Sequence, residues 1–135
     1  MNKELEKKLT NKYPKLFAGV HKSPRDSCMV FGCEHGDGWF KIIEELCEKI
    51  KNYEDVEFLQ IKEKFGGLRV YVGGVPEAVH KAIEEAEGKS EKTCEICGEP
   101  GKIRGGGWLT CFCDKCKEKR DARVAAAKAN KNKEK

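Results

Sequence analysis

Apolar residues recur every four positions at Leu5, Leu9 and Tyr13, and Leu16 and Phe17 follow beyond Pro14. The spacing predicts an amphipathic helix that breaks at the proline, which has no backbone N–H to donate, and then restarts. A stronger pattern puts Trp39, Ile42, Ile43, Leu46, Cys47 and Ile50 on one face and Glu44, Glu45, Glu48 and Lys49 on the other, with Asp37 as the expected N-cap. Pro76 suits the first turn of a third helix, whose inner side carries Val79, Ala82, Ile83 and Ala86 and whose expected stop is Gly88.

Between the second and third helices, Val56 to Phe65 and Leu68 to Val72 are apolar, β-branched runs separated by Gly66-Gly67. Glycine accepts the positive φ of a primed turn, so the pattern predicts a hairpin with a two-residue loop. That loop sets Phe65 opposite Leu68, Lys64 opposite Arg69, Glu63 opposite Val70, Lys62 opposite Tyr71 and Ile61 opposite Val72. Leu59, Ile61, Phe65, Leu68, Val70 and Val72 then form the core face, and Phe58, Gln60, Lys62, Lys64, Arg69 and Tyr71 the outer one. Like charges directly opposite cost a few tenths to about 1 kcal/mol, which an anion resting between Lys64 and Arg69 would remove. A lone two-stranded sheet is marginal, so further strands or self-association are expected.

The chain has 135 residues, enough for one domain and a small appendage. No run approaches the roughly 18 apolar residues of a membrane span, and the charged start Met1-Asn2-Lys3-Glu4 has no apolar signal-peptide region, so a cytoplasmic protein is expected. In a reducing compartment the eight cysteines bind metal, sit buried or react rather than pair. Overall charge is +4, but Gly101 to Lys135 holds 11 basic and 4 acidic residues, a local +7 that would favour a polyanion or simply solvate the tail.

Cys94-x-x-Cys97 and Cys113-x-x-Cys116 are two knuckles separated by fifteen residues, the spacing of a four-cysteine zinc ribbon. Two residues between cysteines let a tight turn aim both sulfurs at one metal, and two such turns complete a tetrahedron. A closed four-thiolate Zn²⁺ site leaves no open coordination position, so its expected role is structural. Cys111 reads as a spare thiol. Cys28, Cys33, His35 and Cys47 match no metal spacing; buried free cysteine is common, ordinary loop chemistry covers Cys33 to Asp37, and the roles of the four stay open. The expected fold is therefore α+β, with helices packed on one face of a β-hairpin sheet over residues 1–90, a zinc ribbon over 91–117 and a basic helical or disordered tail over 118–135.

Glycines beside aromatic or basic residues recur at Gly36-Asp37-Gly38-Trp39, Lys64-Phe65-Gly66-Gly67-Leu68-Arg69 and Arg104-Gly105-Gly106-Gly107-Trp108. Backbone N–H groups at glycine can close on an anion, arginine grips phosphate in two places and aromatic rings stack on bases. Lys62, Lys64, Arg69, Tyr71, Arg104 and Trp108 are thus candidate ligand-binding residues. No Walker loop or dinucleotide fingerprint is present, and nothing assembles a catalytic metal, nucleophile or carboxylate pair.

The string from Cys28 to Gly36-Asp37-Gly38-Trp39, the run Ile61 to Tyr71 containing Lys62-Glu63-Lys64-Phe65-Gly66-Gly67-Leu68-Arg69, and Cys94-x-x-Cys97-Gly98-x-Pro100-Gly101 with Gly107-Trp108 and Cys113-Asp114-Lys115 resemble a family of small proteins of tailed phages and prophages. The likeness spans about Tyr13 to Lys117. Family members often carry histidine where this chain has Cys116. The resemblance implies an accessory protein in the cytoplasm of an infected bacterium, directed at host defence or metabolism. The expected function is non-enzymatic binding of an anionic, nucleotide-like ligand, such as a signal of bacterial immunity. The alternatives are a nucleic-acid adaptor acting through the ribbon and tail, and an inhibitor that contacts a host protein.

Overall fold

The computed structural model describes residues 1–105 and 108–133. Helix α1 spans Lys3–Lys12, capped by Asn2, whose side chain accepts from the Leu5 N–H at 2.9 Å. It stops just before Pro14, and Leu16 and Phe17 continue its buried stripe from the following turns. Helix α2, Phe40–Ile50, buries Ile42, Ile43, Leu46, Cys47 and Ile50, and Trp39 immediately before it is fully buried. Asp37 does not cap α2. Its carboxylate accepts from the Asn2 N–H at 2.7 Å and the Asn2 Nδ2 at 3.0 Å, so it secures the start of α1, and α2 is entered through a 3₁₀ turn over Asp37–Trp39. Helix α3, Glu77–Ser90, runs through Gly88 instead of stopping there. An interior glycine costs about 1 kcal/mol, yet the helix continues to Ser90, whose Oγ accepts from the Leu68 N–H of the sheet.

Three strands form the main sheet: β1 Cys33–Glu34, β2 Phe58–Lys64 and β3 Gly67–Val72, in the order β1-β2-β3. The third strand expected on stability grounds is β1, parallel to β2 with Cys33 beside Ile61 and Glu34 beside Lys62. The hairpin itself is shifted from the sequence register. Phe65 and Gly66 form the loop, with φ of 54° and 83°, a pair of left-handed residues as in a type I′ turn. Consequently Lys62, not Lys64, faces Arg69, while Ile61 faces Val70 and Glu63 faces Leu68. Phe65 leaves the core for solvent, at a cost on the order of 1 kcal/mol for a non-glycine left-handed residue. An irregularity between Phe58 and Gln60 reverses the alternation there, turning Phe58 inward to meet Phe17 edge-on at 5.0 Å and leaving Leu59 outside.

Both outer edges of this sheet are occupied by side chains and the chain start. On β3 the Leu68 N–H donates to Ser90 Oγ at 2.9 Å and the Val70 N–H to Glu87 Oε2 at 3.1 Å, both from α3. On β1 the Cys33 N–H donates to Glu6 Oε1 at 2.7 Å, and the Met1 amine donates to the carbonyls of Cys33 and His35. The core lies between α1, α2 and α3 and the inner sheet face, with Leu9, Phe17, Met29, Trp39, Ile43 and Leu46 among its fully buried members.

A second, two-stranded sheet pairs β4, Lys102–Arg104, with β5, Thr110–Phe112. Helix α4, Asp114–Lys133, follows, with eight basic and three acidic residues. Arg120 anchors its first turns over the Phe112 ring at 5.1 Å, and residues 121–130 are exposed on every side. Among the described residues no helix is long and apolar enough to cross a membrane.

Candidate metal centre

The sulfurs of Cys94, Cys97, Cys113 and Cys116 all lie within 4.8 Å of one another, and no other such group of histidine, cysteine or carboxylate atoms occurs among the described residues. Each pair is built by its own turn. In the first, Gly98 N–H donates to the Cys94 carbonyl at 3.0 Å and Cys94 N–H to the Glu99 carbonyl at 2.7 Å. In the second, at the start of α4, Cys116 N–H donates to Cys113 Sγ at 3.4 Å, which helps hold the Cys113 thiol down at about 7. The 3.6 Å between Cys97 and Cys113 sulfurs is close to the roughly 3.8 Å edge of a tetrahedron with 2.3 Å metal–sulfur bonds, so the donor set fits a metal. A bound ion would keep all four sulfurs as thiolates.

Burial differs around the cluster: Cys94 is fully buried and Cys97 exposed. Cys111 is also buried but turns to the Glu91 carbonyl at 3.5 Å, and burial pushes its thiol up to about 11. It is a fifth thiol outside the cluster. Cys33 and Cys47 are buried core residues, and burial pushes the Cys33 thiol up to about 12. His35 packs against Trp39 with its Nδ1 at 2.7 Å from the Gly36 carbonyl and, among the described residues, no partner at Nε2.

The first knuckle is seated on the Gly36-Asp37-Gly38-Trp39 loop. Gly36 N–H donates to Glu95 Oε2 at 2.9 Å, Gly38 N–H to the Glu95 carbonyl at 2.7 Å, and Trp39 Nε1 to the Thr93 carbonyl at 2.9 Å. A Cβ at Gly38 would press into the Cys94 carbonyl, so only glycine allows this approach. On the other side, the hairpin turn meets β4: a Cβ at Gly66 would lie 2.9 Å from Ile103 Cγ2. Sequence reasoning misses Glu95, and no local signal marks it, because its tie to the Gly36–Gly38 loop joins segments 59 residues apart.

The candidate ligand-binding residues divide between two places. Lys62, Arg69 and Tyr71 share the outer sheet face, where Lys62 Nζ sits over the Tyr71 ring at 5.8 Å and Arg69 Nη1 donates to the Leu68 carbonyl at 2.9 Å. Lys64 closes β2, with its ammonium over the Phe65 ring at 5.5 Å. Lys62, Lys64 and Arg69 make no ion pair among the described residues, although Glu34 lies beside Lys62 and Glu91 approaches Gly67 from the same side as Arg69. Arg104 is committed elsewhere: its Nη2 donates to the Phe112 carbonyl at 3.1 Å and to Asp114 at 3.0 Å, tying β4 to the second knuckle. Trp108 is 74% exposed in the connection between β4 and β5. No protein-family model, curated protein or solved structure matches the chain.

Proposed function

We propose that the four cysteines hold one structural Zn²⁺ and that the protein is a non-enzymatic binding module for an extended, phosphate-bearing chain. Four thiolates suit Zn²⁺, and a closed set holds a fold without offering a site for substrate. The observation that carries the binding reading is the cross-strand pair of Lys62 and Arg69, two cations at facing positions with no ion-pair partner among the described residues. Such a pair is costly alone and is relieved by phosphate.

The shape of the surface favours an extended ligand over an enclosed nucleotide. Small ligands settle in concave pockets, yet a cleft of about 600 Å³ among the described residues lies between α2 and the first knuckle and is lined by Phe40, Lys41, Glu45, Lys92 and Cys97. The other main clefts also lie away from Lys62, Arg69 and Tyr71. The exposed basic α4 adds a long-range attraction for the same polyanion. A role as a phage accessory protein, including sequestration of an immune nucleotide signal, rests on the family resemblance alone.

The test is fluorescence anisotropy with two probes, inorganic polyphosphate as competitor and a labelled 20-nucleotide oligothymidylate, over a salt series. Both should bind with affinity that falls as salt rises. The double variant Lys62→Ala/Arg69→Ala should bind at least about tenfold more weakly, the effect of losing a charge-assisted contact. Failure of the unmodified protein to bind either probe would overturn the reading.

A further inference from the structure

Resting on that reading, we infer that Phe65 stacks on an unpaired base and that the extended ligand is single-stranded nucleic acid. Phe65 has φ of 54° at the first loop position of the turn, where glycine or asparagine gives the same backbone more cheaply. The ring receives little burial in exchange, since the residue is 68% exposed. The core therefore does not explain this residue, whereas an open aromatic face does.

The surroundings suit a base followed by its phosphates. Lys64 stands over one side of the ring, and the Lys62–Arg69 pair continues the positive charge along the outer face of the sheet. A second exposed ring, Trp108, lies in the connection between β4 and β5, the small sheet that the turn meets. The turn touches Ile103 on β4, Ile103 pairs with Cys111, and three residues of chain place Trp108 within about 11 Å of Cys111. An exposed ring flanked by cations forms a platform on which an unpaired base stacks while its phosphates stay in reach of lysine and arginine, and Trp108 offers a second exposed ring on the neighbouring β4–β5 connection. An apolar protein partner would match the rings but leave the cations without counter-charge.

The experiment compares Phe65→Asn and Phe65→Tyr with the unmodified full chain, using the 20-nucleotide oligothymidylate and base-free polyphosphate of equal charge. Phe65→Asn should bind oligothymidylate about tenfold more weakly, bind polyphosphate unchanged, and melt at the same or a higher temperature. Phe65→Tyr should retain oligothymidylate binding. An unchanged oligothymidylate affinity in Phe65→Asn, or an equal loss for both probes, overturns the stacking role while the phosphate reading stands. If the unmodified chain binds polyphosphate as tightly as oligothymidylate, the nucleic-acid assignment falls; if it binds neither, both readings fall together.

Discussion

The indole of Trp39 donates to the Thr93 carbonyl at 2.9 Å across 54 residues of chain, joining the start of the central helix to the residue before the first knuckle cysteine. One side chain therefore belongs to two structures: its ring fills the helical core, and its single polar atom holds the cysteine cluster in place. Trp39→Phe should keep most of the core contact, leave the carbonyl without its donor, and lower stability by about 1–3 kcal/mol in urea unfolding. The same variant should release metal to a chelator faster than the unmodified protein.

Elemental analysis separates the four clustered cysteines from the fifth. The unmodified protein should carry one zinc per chain, and Cys94→Ser or Cys113→Ser should carry none. Because structural zinc contributes on the order of 10 kcal/mol to folding, either change should unfold the β4–β5 region. Cys111→Ser should retain the metal, since its sulfur turns to the Glu91 carbonyl and lies outside the cluster.

Neighbouring residues test the irregularity in β2. Phe58→Ala should cost about 3–5 kcal/mol, the range for emptying a buried aromatic site, whereas Leu59→Ala on the outer side should cost less than about 1 kcal/mol. A regular strand would give the opposite order, so two thermal melts decide it.

Burial lowers the His35 imidazole from its ordinary 6.5 to about 4. Between these values the unfolded chain takes up a proton that the folded chain refuses. The contribution is therefore fully present above about pH 6.5 and is lost as pH falls toward 4, reaching about 3 kcal/mol. Stability measured from pH 7 to 4 should fall less steeply in His35→Gln. Thiolate protonation and metal loss affect both proteins alike, so the difference between the two curves isolates the histidine.

Helix faces and cysteine spacing were legible in the sequence because each depends on local periodicity: all six residues expected on the inner side of the second helix are buried, and the two knuckles bring their four sulfurs together. What local pattern missed was decided by contacts distant in sequence. Asp37 has the chemistry of a helix cap, but Asn2 reaches it first. Gly88 has the chemistry of a stop, but Ser90 is needed two residues later to bond Leu68. The hairpin loop is Phe65-Gly66, one residue before the Gly66-Gly67 pair that the local pattern marks, and there Gly66 meets Ile103, a contact 37 residues away in sequence. The tie between Gly36, Gly38 and Glu95 could not be read from spacing, since it joins segments that are 59 residues apart.

The occupied margins of the main sheet limit how anything else can join it. Ser90 and Glu87 take the outward N–H groups of Leu68 and Val70, and Glu6 takes that of Cys33, so an incoming peptide finds no ladder of free donors to zip onto. Crowded chains should therefore stay apart instead of growing edge to edge into fibres. A binding partner must likewise be recognised through side chains on the sheet's open face and at its turns, where a few substitutions can retune the choice of partner without refolding the protein.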